Sequence, residues 1–363
     1  MSRYDYAIVG AGIVGATLAA AIGDRASVLL LEAEDQPGYH STGRSAAFWS
    51  ETYGGPAIQP LTAASTAAFQ AGGFLEPLGS LHIGRAEDEG AIDAFLAAFA
   101  DTGVVLERVD PARFVPGLRA DWVHGVYEPS CAYIDVGGLH AAALKAAKQA
   151  GAVLATRAGL TRAERRGDGW LLTTTAGDFT AGVLVDAAGA WADQVAALAE
   201  VTPLGIQPYR RTVVQLRTEP PPPEGMAHIA DIAGRFYFKP EAGGRLWLSP
   251  HDETPVDPHD TAPEELDVAV AIDRFEHVVD WRVAAVERRW AGLRSFAPDR
   301  LPVYGYDPDV PSFFWAAGQG GFGIQTAPAA AALAATLLLG NGALPAGVDA
   351  SRYAPGRFQR NIG

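Results

Sequence analysis

The chain is 363 residues long, 48% hydrophobic, and carries a formal net charge of −14. That size and apolar content suit a soluble enzyme of about two domains, and the negative balance, with no Lys/Arg cluster to reverse it, disfavours nucleic acid and anionic lipid as partners. Cys131 is the single cysteine, which excludes a disulfide framework, a thiolate metal site and a dithiol redox pair.

Tyr4 to Val9 is a short apolar run that predicts a strand, Thr17 to Ile22 is helix-forming, and Val28 to Leu31 predicts a second strand ending on Glu32. Between the first two lies Gly10-Ala11-Gly12-Ile13-Val14-Gly15, the G-x-G-x-x-G spacing of a dinucleotide site. Gly10 permits the tight turn, Gly12 lets backbone approach a pyrophosphate, Gly15 lets helix pack on strand, and the helix N-terminus attracts the phosphates. Glu32 sits where a carboxylate binds the hydroxyls of an adenosine ribose, which argues against a 2′-phosphate and so against NADP. A secretory signal peptide is the competing reading of Ala7 to Ile22, but Asp5 stands where a basic segment should be and the glycines would have no use. The other apolar run, Ala329 to Leu339, is about half the length a bilayer span requires, so no integral membrane segment is expected and the chain reads as cytoplasmic.

Further along, Ser41 to Ala47 is a small-residue loop, and Asp135 to Ala150 predicts a helix capped by Asp135 and stopped by Gly151. Turns at Arg166-Gly167-Asp168-Gly169 and Ala176-Gly177-Asp178 separate three strand-like runs from Val153 to Val185. Val185-Asp186-Ala187-Ala188-Gly189-Ala190-Trp191 is a second place where backbone can approach a nucleotide. Pro220 to Pro223 reads as a surface loop, and Phe236 to Lys239 pairs with Arg245 to Leu248 as a hairpin around Ala242-Gly243-Gly244. Pro263 to Val279 predicts a helix. The cluster Gly318-Gln319-Gly320-Gly321-Phe322-Gly323 opens another, running to Leu339 with Pro328 in its first turn. His251-Asp252-Glu253 and His259-Asp260 lie in proline-rich loop sequence, so no metal is expected there. No Gly-x-Ser-x-Gly elbow or Walker loop occurs.

The N-terminal fingerprint, YHSTGRSAAFW from Tyr39 to Trp49, VDAAGAWA from Val185 to Ala192, WAGLRSF from Trp290 to Phe296 and GQGGFGIQT from Gly318 to Thr326 occur in that order. Together they resemble the FAD-dependent amino-acid oxidoreductases of the D-amino-acid oxidase and glycine oxidase superfamily, most of all the D-arginine dehydrogenase type of bacterial D-amino-acid dehydrogenase. The resemblance implies a mixed α/β (α+β) fold: a Rossmann-like FAD-binding domain from 1–77, 135–204 and 296–363, with an inserted antiparallel-sheet substrate domain from 78–134 and 205–295. It implies noncovalent FAD, since Cys131 lies outside the flavin motifs. Gly10, Gly12, Ile13, Val14 and Gly15 would meet the pyrophosphate, with Glu32 and Ala33 at the adenosine end. Ser41, Thr42, Arg44, Ser45, Ala46 and Ala47 would form a second cofactor loop, and Ala158, Ala188, Gly189 and Trp191 further contacts. Gly320, Gly321, Phe322, Gly323, Ile324 and Gln325 would pass under the isoalloxazine, with the helix N-terminus behind them favouring the anionic reduced flavin.

Arg211 and Arg294 match the family's carboxylate-binding arginines, and a planar guanidinium is the right group for that task. Arg210 remains an alternative to Arg211 if the register slips by one. Tyr53 and Tyr237 fall where relatives place phenols near substrate, the Gly321 carbonyl is an acceptor for the amine, and Phe48, Ser80 and Gln325 are expected at the pocket. The chemistry expected is hydride transfer from Cα to flavin N5, with a neutral amine and positioning as the main requirements. Phe48 stands where the D-arginine dehydrogenase pattern carries histidine, and no acid follows Ser80-Leu81-His82 until Glu87, which looks solvated. The resemblance implies a D-amino acid and these departures an uncharged side chain, so that is the expected substrate, giving a 2-oxo acid and ammonia. Glycine, N-methyl amino acids and 2-hydroxy acids are alternatives, the last weakly disfavoured by apolar Phe48. A flavin-binding protein without turnover would not need Arg211, Arg294 and Tyr53. The electron acceptor (quinone, protein or O2) is left open.

Overall fold

Tyr6 to Val9 form an unbroken buried run because their strand, Arg3–Val9, lies between two parallel neighbours, Val28–Leu31 and Gly177–Asp186. Strands covered on both faces need no alternation of apolar and polar residues. The computed structural model describes residues 3–358, and around this centre it builds an eight-stranded sheet. Val153–Ala155 extends it beside Val28–Leu31, and Phe313–Ala317 and then antiparallel Val303–Tyr306 extend it on the other side. The first half of Gly177–Asp186 also carries the meander Leu160–Arg166 and Gly169–Thr174. The three runs read between Val153 and Val185 are thus four strands. The first is parted from the meander where the chain turns at Arg157, whose φ is +51°, and the Arg157 and Ala158 amides donate to the carbonyls of Glu34 and Glu32.

Helices Ile13–Ile22, Val136–Gln149 and Ala327–Leu339 cover one face, burying Leu18, Ala147 and Leu333 against Ile8, Leu30 and Phe314. Asp135 caps the second of them through the Gly138 amide. The opposite face is filled by Trp170, Leu172, Val195 and Trp315. The last helix starts at Ala327 rather than at the glycine cluster, because Gln319–Gly320 is drawn out as a short strand against Phe296 and Ser295. Its N-terminus therefore lies several residues beyond the segment it was expected to back. No helix among the described residues is long and apolar enough to cross a membrane.

A second, ten-stranded sheet is organised by Gln207–Glu219, which pairs along its length with Arg282–Phe296 and on its other side with Arg245–Ser249. Tyr237–Glu241, His228–Asp231, Ser80–Arg85, Trp122–Glu128 and Glu107–Val109 follow in order. The expected hairpin is present, with Gly243 and Gly244 at φ of +76° and +68°. The helix expected over Pro263 to Val279 is shorter, Glu265–Glu276. Glu264 is extended at its start, and Val278 and Val279 are taken by Arg119 and Leu118 beyond its end. Phe48–Trp49, Leu75–Pro77 and Ala132–Ile134 form a small third sheet. The architecture is mixed α/β, a largely parallel layer joined to a largely antiparallel one.

Candidate active site

A cavity of about 390 Å³ runs from Gly10 and Glu32 to Arg211 and Arg294. At its first end, a Cβ on Gly10 would stand 2.5 Å from the Ala187 carbonyl oxygen, at a φ of +100°, and a Cβ on Gly15 would run into the Gly10 carbonyl. These neighbours are backbone and cannot swing away. Helix Ile13–Ile22 has no cap from its own N-cap residue Gly12 and no acid in its first turn, which leaves its dipole open to an anion. The Thr42 hydroxyl accepts from the Ile13 amide at 3.0 Å. Buried Glu32 accepts from the Ala11 and Glu34 amides, one on each oxygen at 3.0 Å, and each oxygen keeps a further lone pair for a hydroxyl. This cradle fits a dinucleotide pyrophosphate and an unphosphorylated ribose.

Of the expected cofactor residues, Gly10, Gly12, Ile13, Val14, Glu32, Ala33, Ser41, Thr42, Arg44, Ser45, Ala158, Ala188, Gly189, Trp191, Gly320, Gly321, Gly323 and Ile324 line the cavity. Gly15, Ala46, Ala47, Phe322 and Gln325 do not line it. Arg44 lines it while its guanidinium is held by Asp260 and the carbonyls of Thr261 and Ala291, so its charge is already matched within the protein. Gln325 donates to the Tyr53 carbonyl at 3.0 Å and the Thr62 hydroxyl at 2.9 Å, anchoring Tyr53 rather than facing a ligand. His40, which packs 4.6 Å from Trp191, also lines the cavity and was not singled out.

Successive residues of a strand point to opposite faces, and this separates Arg210 from Arg211. Arg210 turns to Glu264 and Asp267, whereas Arg211 lines the cavity. Because Arg211 lies opposite Gly292 and Tyr209 opposite Arg294, the two arginines are diagonal neighbours on one face. Arg211 is 3% exposed; its Nε donates to the Asp252 carbonyl at 2.6 Å and Nη2 to Glu253 at 3.0 Å, while Nη1 has no partner. Burial, and after it Arg294, hold its pKa below the usual guanidinium value. Arg294 donates to the Tyr53 hydroxyl, and a Cβ on Gly321 would come within 2.5 Å of both Arg294 Nη1 and that hydroxyl. Two guanidiniums side by side with a spare donor can receive an anion such as a carboxylate. His251 packs beside Tyr237 and donates from Nδ1 to the Gly234 carbonyl; burial and then Arg211 push its pKa down to about 3.

Beyond the arginines stands an aromatic wall that the cavity does not pass. Phe48 lies 5.1 Å from Tyr53, 4.6 Å from His228 and 5.7 Å from Tyr237 between ring centroids. Ser80, expected at the pocket surface, is instead behind this wall at 1% exposure, bonded to His228 Nδ1 at 2.9 Å. Glu87 is exposed. The buried acid of this region is Glu128, directly opposite Ser80 on the next strand. It accepts from Ser50 at 2.9 Å, Thr52 at 2.6 Å and the Glu51 amide at 2.7 Å, and so fixes the loop that presents Tyr53. Burial raises its pKa, but His82, Thr52 and Ser50 outweigh that and hold it below the usual carboxylate range. Glu128 and His228 escaped the sequence reading because each depends on a neighbour from a distant segment, and His251 was read there only as part of a loop that holds no metal.

Glu128→Ala removes the shared acceptor of Ser50, Thr52 and the Glu51 amide, so a loss of about 3 kcal/mol in stability is expected. A carboxylate with a lowered folded pKa stabilises fully above its unfolded pKa and ceases to as pH falls through the folded one. The melting-temperature gap between wild type and Glu128→Ala should therefore narrow on acidification, and a gap independent of pH would refute this role.

The FAD dependent oxidoreductase family, DAO, matches residues 5–337. Glycine oxidase of Geobacillus kaustophilus (strain HTA426) is 27% identical over 356 residues, 93% of this chain and 93% of that protein. The solved structure of glycine oxidase from Geobacillus kaustophilus superposes with a TM-score of 0.84 and 25% identity over 100% of both chains. The bifunctional protein ThiO/ThiG of Synechocystis sp. is 31% identical over 237 residues, which span 62% of this chain but 34% of that longer protein. L-proline dehydrogenase from P. horikoshii shares the fold, with a TM-score of 0.86 at 22% identity over 98% of each chain. The glycine cradle, the buried acid Glu32 and these matches lead to one conclusion: the chain belongs to the FAD dependent oxidoreductase (DAO) family, related to glycine oxidase and other amino-acid oxidases, and FAD is its cofactor.

Proposed function

We propose that the chain oxidises α-amino acids, preferring D-enantiomers with uncharged side chains, to imines that hydrolyse to 2-oxo acids and ammonia. The observation that carries the reading is the Arg211 and Arg294 pair, buried side by side with an unused Nη1 at the deep end of the cavity. FAD, when bound, supplies the two-electron oxidant. The protein's part is placement: the arginines hold the carboxylate, the Gly321 carbonyl takes a hydrogen bond from the amine, and Tyr53 keeps Arg294 in place. Motif likeness to D-arginine dehydrogenases supports the D configuration. Exposure of Glu87 and the apolar Phe48 support an uncharged side chain, since a buried cation without a partner is costly.

The wall of Phe48, Tyr53 and Tyr237 favours a second reading, glycine and N-substituted glycines, which have no side chain to fit. The glycine oxidase and L-proline dehydrogenase relatives support it as well. Comparing kcat/KM for glycine, sarcosine and the D- and L-forms of phenylalanine, leucine, methionine and arginine separates the two, with a dye as acceptor and peroxide followed in parallel. D-Methionine or D-leucine should exceed D-arginine by about tenfold or more, on the scale of burying one apolar side chain. Faster turnover of the L-series or of D-arginine overturns the proposal, and a clear lead for glycine establishes the second reading.

We also propose that FAD is held noncovalently, and acid precipitation should release all of it into the supernatant. Glu32→Ala is expected to raise the Kd for FAD by about tenfold or more, the scale of a lost charged hydrogen bond. Fluorescence titration of apoprotein measures it, and an unchanged Kd would remove Glu32 from the adenosine end.

A further inference from the structure

Tyr53 is pegged at both ends of its main chain. Its carbonyl accepts from Gln325 at 3.0 Å, and Gln325 is tied in turn to the Thr62 hydroxyl at 2.9 Å. Its amide donates to the Ser50 hydroxyl at 3.2 Å, and Ser50 donates to Glu128 at 2.9 Å. The first peg belongs to the segment that carries Gly321, the second to strand Trp122–Glu128 of the antiparallel sheet. Glu128 also takes the Glu51 amide at 2.7 Å and the Thr52 hydroxyl at 2.6 Å. One fully buried carboxylate thus gathers a donor from each of the three residues before Tyr53.

The direction of these bonds is set by chemistry. Against the cost of burial, His82, Thr52 and Ser50 keep Glu128 ionised, and a carboxylate only accepts. The Ser50 proton therefore points to Glu128, which leaves the lone pairs of that oxygen to the Tyr53 amide. At the far end of the same residue the phenol holds Arg294. We propose that Glu128 is a positioning residue for substrate binding, acting through Ser50 and Tyr53 to hold the Arg294 guanidinium where it receives the substrate carboxylate. This assignment rests on the amino-acid oxidation reading above and adds a residue to it.

Support of the fold and positioning of Arg294 have different signatures. Losing a purely structural carboxylate lowers the folded fraction, and every molecule that remains folded binds substrate as before. Losing a positioning carboxylate weakens binding in the folded molecules, and only while the Tyr53 hydroxyl is present to transmit the change, so the two substitutions are not additive. Glutamine preserves the relay. The Glu51 amide can only donate, so the carboxamide oxygen goes to it, and the NH2 group turns to the Ser50 and Thr52 hydroxyls, which can accept.

The test uses FAD-loaded enzyme at matched flavin content, with the amino acid it turns over fastest and with propionate as a non-reacting carboxylate whose binding is read from the flavin absorbance. Glu128→Ala should raise KM and the propionate Kd by about tenfold, the scale of one hydrogen bond. Ser50→Ala, which cuts the relay and spares the other two donors, should do the same and carries the test if Glu128→Ala does not fold. Glu128→Gln should stay within about threefold of wild type. Tyr53→Phe should itself cost about tenfold, and adding Ser50→Ala or Glu128→Ala to it should change little further. Unchanged KM and Kd in Ser50→Ala overturn the inference, as does a tenfold rise that persists in the Tyr53→Phe background. If Tyr53→Phe and Arg294→Met raise both constants while Ser50→Ala does not, this inference alone falls. If those two variants also leave both constants unchanged, the carboxylate reading of Arg294 falls and this inference with it.

Discussion

Arg294→Met should lower kcat/KM by about a hundredfold or more while leaving the protein yellow and folded. The expected loss is about 3 kcal/mol, the cost of leaving a buried carboxylate without its charged partner. Met keeps the unbranched apolar stem and ends about where the guanidinium begins, so packing of the stem beside Gly321 is disturbed little. Arg294 also holds the Tyr53 hydroxyl, so the variant loses both the charge and the phenol's fixed position. The loss should fall on kcat as well as on KM, because a carboxylate held by Arg211 alone can pivot. Adding guanidinium to the assay should restore part of the rate. Near-normal kcat/KM in Arg294→Met would show that the carboxylate binds elsewhere.

Gly10→Ala should be close to devoid of flavin. A methyl group there stands 2.5 Å from the Ala187 carbonyl oxygen and the position holds a φ of +100°, so both the turn and the approach of Gly177–Asp186 to Arg3–Val9 must open. Strain of this kind costs about 1–3 kcal/mol before any contact is counted. The 450 nm absorbance per protein should fall by at least about tenfold, and the melting temperature should drop in the same preparation. Gly12→Ala offers the contrast, since its neighbour is the Thr42 hydroxyl at 3.2 Å, a side-chain atom that can move. Full flavin loading of Gly10→Ala would mean that the turn is not shaped by this close approach.

The nucleotide end was legible because its chemistry is local. Gly10, Gly12, Gly15 and Glu32 fall within one strand-turn-helix-strand unit, so spacing alone carries the argument. The arginines were legible only through motif likeness, and choosing Arg211 over Arg210 needed the strand's pleat, which Glu264 and Asp267 on a distant helix make visible. Ser80 was placed near the right region but at the wrong depth, because nothing in its own segment announces that His228 lies beside it in a parallel pair. Glu128 follows Tyr127 in an ordinary strand, and its burial is set by Ser50 and Thr52 from far along the chain. The glycine cluster before Ala327 misled for the opposite reason: local sequence read as a helix entry, and pairing with Arg282–Phe296 overrode it.

That pairing of Gln319–Gly320 with Phe296 and Ser295 acts as a ruler. Ser295, one residue past Arg294, is hydrogen-bonded in register with Gly320, one residue before Gly321. The separation between the Arg294 and Gly321 main chain is thus set by a single rung of ladder and two covalent steps. If Arg294 anchors the carboxylate as proposed, substrates with different side chains share one main-chain reference for the depth of Cα. Substrate range can then be retuned by exchanging residues of the aromatic wall, because the dimension that governs the reacting atoms is written in main chain that those exchanges do not touch.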